Sequence, residues 1–497
     1  MQYKSTRSNT EYVSASKAII SGISPGGGLY VPADIPEISL KDIMRLADKS
    51  YIDKAKAVLQ LFLTDFTPEE IDYCVENAYQ KGRFDSSYVV PVVNLSDNEY
   101  ILELFKGPTC AFKDIALQLL PYLMTVSAEK KLTNKQIAIL VATSGDTGKA
   151  ALEGFKNVKG TKILVFYPEQ GVSNMQKLQM ATQEGDNVAV AAIKGNFDDA
   201  QTGVKKIFTD DEMLKRLKEK GYVFSSANSI NWGRLVPQIV YYVSAYCDLL
   251  KNSKIKLGEK INIVVPTGNF GNILAAYYAK RMGIPVNKLI CASNKNEVLT
   301  EFINTGVYNK NREFYTTASP SMDILISSNL ERLIYHLSDE DSGLVSDLME
   351  QLKTNGEYTV NGLIKSKLSE LFSAGSCGEE ETLLTIAECF NKYGYLPDTH
   401  TAVGLKVYND YKKRTADNSV TIIAATASPY KFPSAVLSAI TEENEVVDEF
   451  SMLSRLEEIS KVEVPNQLTG LKDKPVRFND SYGIDEMPEA VISMLDI

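Results

Sequence analysis

Short apolar, β-branched runs recur along the chain at 136–142, 162–167, 188–193, 261–265, 289–292 and 420–425. Runs of this length without polar alternation read as strands buried on both faces. Stretches of helical period lie between them, for example at 115–128, 147–155, 199–220, 235–250 and 273–282. Near-continuous apolar strands separated by helices predict an α/β fold, with parallel sheets covered on both sides. The length of this region, 96–440, predicts two such α/β lobes. Residues 1–95 read as a separate, mainly helical unit, with helical patterns at 40–46 and 51–66 after the turn-rich Ser24-Pro25-Gly26-Gly27-Gly28-Leu29-Tyr30-Val31-Pro32. The charged stretch 338–381 reads as an insertion or a surface helical section. Residues 441–497 read as an acidic tail packed on the core.

Composition narrows the function classes. A formal net charge of −10 argues against a nucleic-acid or anionic-membrane partner. The six cysteines are scattered and form no CxxC pair, as expected of free thiols in a reducing compartment. The N-terminus has no apolar core of a secretory signal, and no apolar run reaches membrane-spanning length, so a cytoplasmic location is expected. With only His336 and His400 present, a catalytic zinc site built on several histidines is excluded, and no metal is expected. An enzyme of this composition must do its proton work with other groups.

Ligands of parallel α/β proteins collect at the carboxyl ends of the strands. Lys113 lies in Pro108-Thr109-Cys110-Ala111-Phe112-Lys113-Asp114, between the apolar run 100–105 and a helical pattern. Burial lowers a lysine's pKa, and a neutral amine can attack a carbonyl. After 136–142 comes Ala142-Thr143-Ser144-Gly145-Asp146-Thr147-Gly148-Lys149, three hydroxyls and a carboxylate opening a helix. It is not a P-loop, which needs Gly at Thr143 and Ser or Thr at Ala150. Its polar equipment exceeds that of a helix cap and favours an anion-binding loop. After 261–265 comes Pro266-Thr267-Gly268-Asn269-Phe270-Gly271-Asn272, again at a helix start. It lacks the third glycine and the acidic partner of a dinucleotide fingerprint, so a single phosphate fits it better. After 420–425, Thr426 places a hydroxyl at a strand end. A Schiff-base lysine, a monophosphate cup, an anion loop and a neutral hydroxyl together suit pyridoxal phosphate.

The order and wording of these segments resemble the β-family (fold type II) pyridoxal-phosphate enzymes, and within them the threonine synthases. Gly26 to Pro32, Gly195 to Gln201, Ser226 to Arg234, Ser319 to Ile324 and Asp398 to Gly404 resemble that family too. The resemblance implies a tryptophan synthase β-like architecture and conversion of O-phospho-L-homoserine and water into L-threonine and phosphate, by a monomer or homodimer. It assigns Lys113 to carrying the cofactor and moving protons. Gly268, Asn269, Phe270, Gly271 and Asn272 correspond to the cofactor-phosphate loop, and Thr426 to the partner of the pyridine nitrogen. Thr143, Ser144, Asp146 and Thr147 correspond to the loop around substrate and ring, and Asn228, Ser229, Asn231 and Arg234 to the substrate end. Arg234 suits a phosphate because its fork binds oxyanions bidentately, with a structural salt bridge as the alternative. His400 reads as a structural histidine.

Gly26 and Ser428 depart from the family pattern, where a polar residue and a histidine are common. Threonine dehydratases and cysteine synthases are the nearest rivals, but usually carry Asn where this chain has Asp146. A phospho-lyase giving a 2-oxo acid is a subtler one. A ligand-binding protein that had kept the fold without catalysis would have lost the lysine.

Overall fold

The apolar runs form the strands expected of them, in a computed structural model that describes residues 1–132, 135–143, 145–169, 172–441 and 448–497. In chain order the strands are β1 (Tyr3–Ser5), β2 (Ser8–Val13), β3 (Tyr30–Pro32), β4 (Val92–Ser96), β5 (Glu99–Glu103), β6 (Gln136–Ala142), β7 (Thr161–Pro168) and β8 (Val188–Ile193). They continue with β9 (Tyr222–Ser225), β10 (Ile261–Pro266), β11 (Val286–Ser293), β12 (Val307–Asn309), β13 (Glu357–Thr359), β14 (Phe372–Ser376), β15 (Thr421–Ala425) and β16 (Ser481–Tyr482).

Two sheets organise the α/β region. The larger has the order β14-β11-β10-β15-β5-β4 and is parallel except for β4, which runs antiparallel to β5. The smaller, β16-β8-β7-β6-β9, is parallel throughout. Every residue of β10 and β15 is buried, which is why these segments carry no polar alternation. The boundary expected at residue 95 falls inside β4, whose pairing with β5 joins it to the larger sheet. The C-terminal segment supplies β16 beside β8, and its last helix, Met487–Leu495, packs with β7 and helix Phe197–Phe208.

Some expectations need correction. The helical pattern at 199–220 is two helices, Phe197–Phe208 and Asp211–Glu219. The Asp210 side chain caps the second, accepting from Met213 N at 2.9 Å, so a polar residue breaks a helix whose apolar period runs on. The pattern at 51–66 is helical only over Tyr51–Phe62. The stretch 338–381 holds surface helices but also β14, an edge strand of the larger sheet. The N-terminal unit has the expected helices, together with an antiparallel sheet β2-β1-β3. These strands are only three to six residues long, and β2 is largely exposed, too little for a periodic signal.

Strand order brings the candidate loops together. β10, β15 and β5 are adjacent and parallel, so the segments after them leave the same end of the sheet. There Phe112 N donates to Thr426 O at 2.9 Å and Ser428 N to Cys110 O at 3.0 Å. Helix Trp232–Lys251 is buried almost all round and packs on helices Tyr51–Phe62, Lys113–Lys131 and Gly271–Arg281.

Arg332 ties the N-terminal unit to this region. It is fully buried. Its Nε donates to Tyr30 O at 2.9 Å, and its terminal nitrogens donate to Asn329 Oδ1 and Ile230 O, each at 2.5 Å. Arg332→Met keeps much of the volume but orphans three buried acceptors. A loss of about 3 kcal/mol or more is expected from hydrogen bonds to a charged donor. It should be read as a lower urea midpoint; an unchanged midpoint would remove Arg332 as a brace.

Candidate active site

Lys113 begins helix Lys113–Lys131. The turn before it is folded by Asp114, whose Oδ2 accepts from Thr109 N at 2.8 Å and whose Oδ1 accepts from Thr109 Oγ1 at 2.6 Å. Gly107 lets the turn close, because a Cβ there would lie 2.5 Å from Asp114 Cβ. Cys110 adopts a left-handed φ of 58°. The carboxylate next to Lys113 in sequence therefore shapes the loop instead of pairing with the amine, and burial pushes it up to about 6.

The Lys113 amine sits over the Phe112 ring, 5.1 Å from its centroid. Its Nζ lies 3.2 Å from Ser321 Oγ and 3.8 Å from Asp146 Oδ2. Burial lowers its pKa, opposed by Asp146 and assisted by the cations Lys431 and Arg234. Burial also works against the Asp146 carboxylate, but Lys431 and Lys113 outweigh it and hold Asp146 well below the usual carboxylate range. Lys431 Nζ is 2.7 Å from Asp146 Oδ1, and Gln176 Nε2 donates to the same oxygen at 3.2 Å.

Ser321 is held from behind. Its backbone N donates to His400 Nε2 at 3.2 Å, and His400 Nδ1 lies 2.7 Å from Asp398 Oδ2. This arrangement makes Nδ1 the protonated ring nitrogen and Nε2 the acceptor. His400 is thus a buried histidine that seats the Ser321 turn, matching the structural reading.

The glycine loop after β10 caps helix Gly271–Arg281, with Phe270 in the left-handed region at φ 63°. Asn272 Oδ1 accepts from the hydroxyls of Tyr241 and Tyr242, while its buried Nδ2 has no partner. Ser327 Oγ donates to Gly268 O at 2.7 Å, and Asn329 Nδ2 donates to Asn269 O at 3.1 Å. The same Asn329 amide reaches Ser229 O at 3.2 Å, so one side chain links the glycine loop to segment 226–231.

The remaining residues divide by how their polar atoms are used. Ser144 lies outside the described residues. Thr143 Oγ1 accepts from Gly145 N at 3.0 Å and Gly148 N at 2.9 Å, so its hydroxyl folds its own loop, whereas Thr147 is half-buried. Asn231 was expected at the substrate end, but its side chain is committed elsewhere. Its Oδ1 caps helix Trp232–Lys251 through Gly233 N at 2.8 Å, and its Nδ2 donates to Ile19 O and Ser226 O, each at 2.9 Å. Asn228 is exposed and Ser229 half-buried. Arg234 is buried, its Nη1 donates to Ala227 O at 2.5 Å, and its Nε has no partner. No described carboxylate forms an ion pair with it, so the salt-bridge alternative finds no support. Burial lowers its pKa to about 10.

Family models match three segments: "Threonine synthase N terminus" over residues 2–79, "Pyridoxal-phosphate dependent enzyme" over 92–352, and "Threonine synthase, C-terminal" over 401–483. A threonine synthase of Pseudomonas aeruginosa is 38% identical over 443 residues, 88% of this chain and 90% of that protein. The chain belongs to the threonine synthase family of pyridoxal-phosphate-dependent enzymes. A crystal structure of a pyridoxal-phosphate-bound threonine synthase from Brucella melitensis shares the fold with a TM-score of 0.88, at 37% identity and 99% coverage of both chains. The yeast threonine synthase structure gives 0.88 at 32% identity, covering 100% of this chain and 99% of its own. Threonine synthase-like 1 of Macaca fascicularis is 42% identical over 435 residues, which is 86% of this chain but 58% of that protein's length.

The threonine synthase family's cofactor fits the residues present. An amine kept short of protons, an unpartnered buried Asn272 amide at a helix start, and the Thr426 hydroxyl at the end of β15 supply what an aldehyde, a phosphate and a ring nitrogen require. Gly268 admits no side chain, because a Cβ would lie 2.6 Å from Ser321 O. Gly268→Ala should displace the segment that holds both the loop and Ser321. Overpacking costs about 1–3 kcal/mol, and cofactor affinity measured by fluorescence titration should fall roughly 10- to 100-fold. Wild-type affinity in this variant would show that the segment yields freely.

Sequence reading missed Lys431, Ser321, Asn329 and Arg332 as members of this region. Usable signals existed for two of them: Ser321 lies in the family-like segment Ser319 to Ile324, and Lys431 is a lysine followed by Phe432 and Pro433 in a strand-end loop.

Proposed function

We propose that this chain is a threonine synthase, converting O-phospho-L-homoserine and water into L-threonine and phosphate. The observation that carries the reading is a buried arginine, Arg234, with an unpartnered Nε and no carboxylate partner among the described residues, whose charge disfavours protonation of Lys113. A buried guanidinium with an unpartnered Nε is costly unless an anion completes it. The substrate phosphate is such an anion, and Arg234 would hold it bidentately.

Pyridoxal phosphate, bound through Lys113, supplies the electron sink that stabilises negative charge next to the substrate's amino group. The chain's own groups do the rest. Asn272 and the backbone of the Gly268–Asn272 loop would hold the cofactor's phosphate, and Thr426 would face its ring nitrogen. Lys113, once released by substrate, is the base that takes the proton from Cα and the acid–base group that serves Cβ. Arg234 orients the substrate phosphate for departure from Cγ and stabilises its charge. Water then adds its oxygen at Cβ, its released proton going to the departed phosphate, and the two protons taken from Cα and Cβ return through Lys113 to Cα and to Cγ, which becomes the methyl group. Ser321, 3.2 Å from the amine, orients Lys113 between these duties.

We place the protein in the cytoplasm, as a monomer or homodimer without nucleic-acid or membrane partners, consistent with the net charge of −10. The test of function is incubation of purified protein and cofactor with O-phosphohomoserine, with threonine, phosphate and 2-oxobutyrate assayed together. Threonine and phosphate in equal amounts are expected. Phosphate accompanied by 2-oxobutyrate without threonine would make the protein a phospho-lyase instead.

A further inference from the structure

A second buried lysine faces the carboxylate that faces Lys113. Lys431 ends the short 3-10 turn Pro429–Lys431, capped by Ser428, whose Oγ accepts from Tyr430 N at 3.3 Å. Its side chain is 2% exposed. Nζ donates to Thr109 O at 3.1 Å and pairs with Asp146 Oδ1 at 2.7 Å, while Lys113 is 3.8 Å from the other oxygen of the same carboxylate. The carboxylate is therefore shared unequally, with the close contact given to Lys431. We infer that Lys431 is a positioning residue of this site: by taking the near contact with Asp146 it keeps that carboxylate from closing on Lys113, and so leaves the Lys113 amine free to react.

The alternatives around Lys113 are few. Asp146 comes from the loop after β6, Lys431 from the loop after β15, Arg234 from helix Trp232–Lys251, and Asp114 from the helix of Lys113 itself. Asp114 is occupied by Thr109. Besides the two lysines, His400 acts on Asp146, and His400 is held by Asp398 and the Ser321 backbone. Asp146 is thus the carboxylate within ion-pair distance of Lys113 among the described residues, and Lys431 is the cation that neutralises it. Without Lys431, a buried anion would remain 3.8 Å from the amine, and pairing with Lys113 would be its principal means of compensation. Such pairing favours the ammonium form, which cannot attack the cofactor's aldehyde. Without Asp146, the two remaining cations, Lys431 and Arg234, would drive Lys113 further toward the neutral form. The two substitutions therefore have opposite signs and should cancel when combined.

The inference rests on Lys113 being the cofactor-bearing amine, and the test separates the two. Full-length protein stripped of cofactor is mixed with pyridoxal phosphate across a pH series and quenched with borohydride, and the labelled lysine is located by peptide mass spectrometry. Trace acetylation of Lys113 by acetic anhydride across the same series gives a readout that involves no cofactor. In Lys431→Met the midpoint for Lys113 should move to higher pH by about one unit or more, roughly tenfold slower labelling at a fixed pH below it. In Asp146→Asn it should move to lower pH, and the double variant should return toward wild type. A Lys431→Met midpoint that stays put or moves acid, or a double variant that is not rescued, overturns the inference. If Lys431→Met alone does not accumulate as folded protein, Asp146→Asn decides, since an unmoved or alkaline-shifted midpoint there is equally fatal. Label on a different lysine in the wild-type protein overturns the assignment of Lys113 instead.

Discussion

Lys113→Ala is expected to abolish threonine formation and to leave no pyridoxyl group fixed by borohydride. Two losses coincide in this one substitution. On the proposed function the covalent attachment of the cofactor would disappear, and so would the amine that exchanges protons with Cα and Cβ. General acid–base catalysis alone is worth about 10²- to 10⁴-fold, and the loss of an organised cofactor comes on top of it. Neither of the two neighbouring candidates can substitute. His400 has both ring nitrogens engaged, and Lys431 is paired with Asp146 and Thr109. The measurement is single-turnover formation of threonine and phosphate in protein saturated with cofactor. Residual turnover within tenfold of wild type would mean that another amine serves the reaction. The pH dependence follows from the same environment. Burial lowers the Lys113 pKa, so the fraction of reactive amine at neutral pH exceeds that of an exposed lysine, and cofactor capture should persist at pH values where a surface lysine is fully protonated.

Arg234→Ala is expected to raise the KM for O-phosphohomoserine by a hundredfold or more while leaving cofactor affinity within about twofold. Hydrogen bonds to a charged group are worth about 1.5–3 kcal/mol each, and a bidentate contact loses two of them. At about 1.4 kcal/mol per factor of ten, that corresponds to at least two decades. Arg234→Lys should recover only part of this loss, since an ammonium cannot grip two phosphate oxygens in one plane. Stability provides an independent check with the opposite sign. A guanidinium held in a structural salt bridge would destabilise the protein when removed. Among the described residues Arg234 has no such bridge; Nη1 holds only Ala227 O, and Nε is buried without a partner. Arg234→Leu should therefore leave the unfolding midpoint unchanged or raise it, a pattern typical of functional groups that cost stability. A large fall in both midpoint and activity would instead place Arg234 among the structural residues.

Much of the fold was legible because burial on both faces leaves a one-dimensional trace. The runs that became β6 and β8 matched their observed limits, and the other core strands differed by a few residues at the ends. Strands that were missed, among them β4, β9, β12, β13, β14, β16 and the N-terminal sheet, are short, partly exposed, or both. Lys113 and the Gly268 loop could be proposed because the residue types that suggest their chemistry are adjacent in sequence. Thr143 and Asn231 show where such reading stops. A hydroxyl or an amide looks the same in sequence whether it meets a ligand or caps its own loop, and here both fold the backbone.

The sequence by itself determined the α/β class and the two parallel lobes, and it marked Lys113 and the Gly268 loop as candidates, since each depends on residues that are neighbours along the chain or repeat with a fixed period. The tertiary structure alone decided which charges meet. Lys431 is 285 positions from Asp146 in the numbering, and Arg332 is 302 from Tyr30. Whether such groups pair, and which carboxylate a buried lysine faces, follows from the order of β10, β15 and β5 and from the loops that order brings together. Electrostatic energy depends on distance through space and on burial, and neither is written in spacing along the chain.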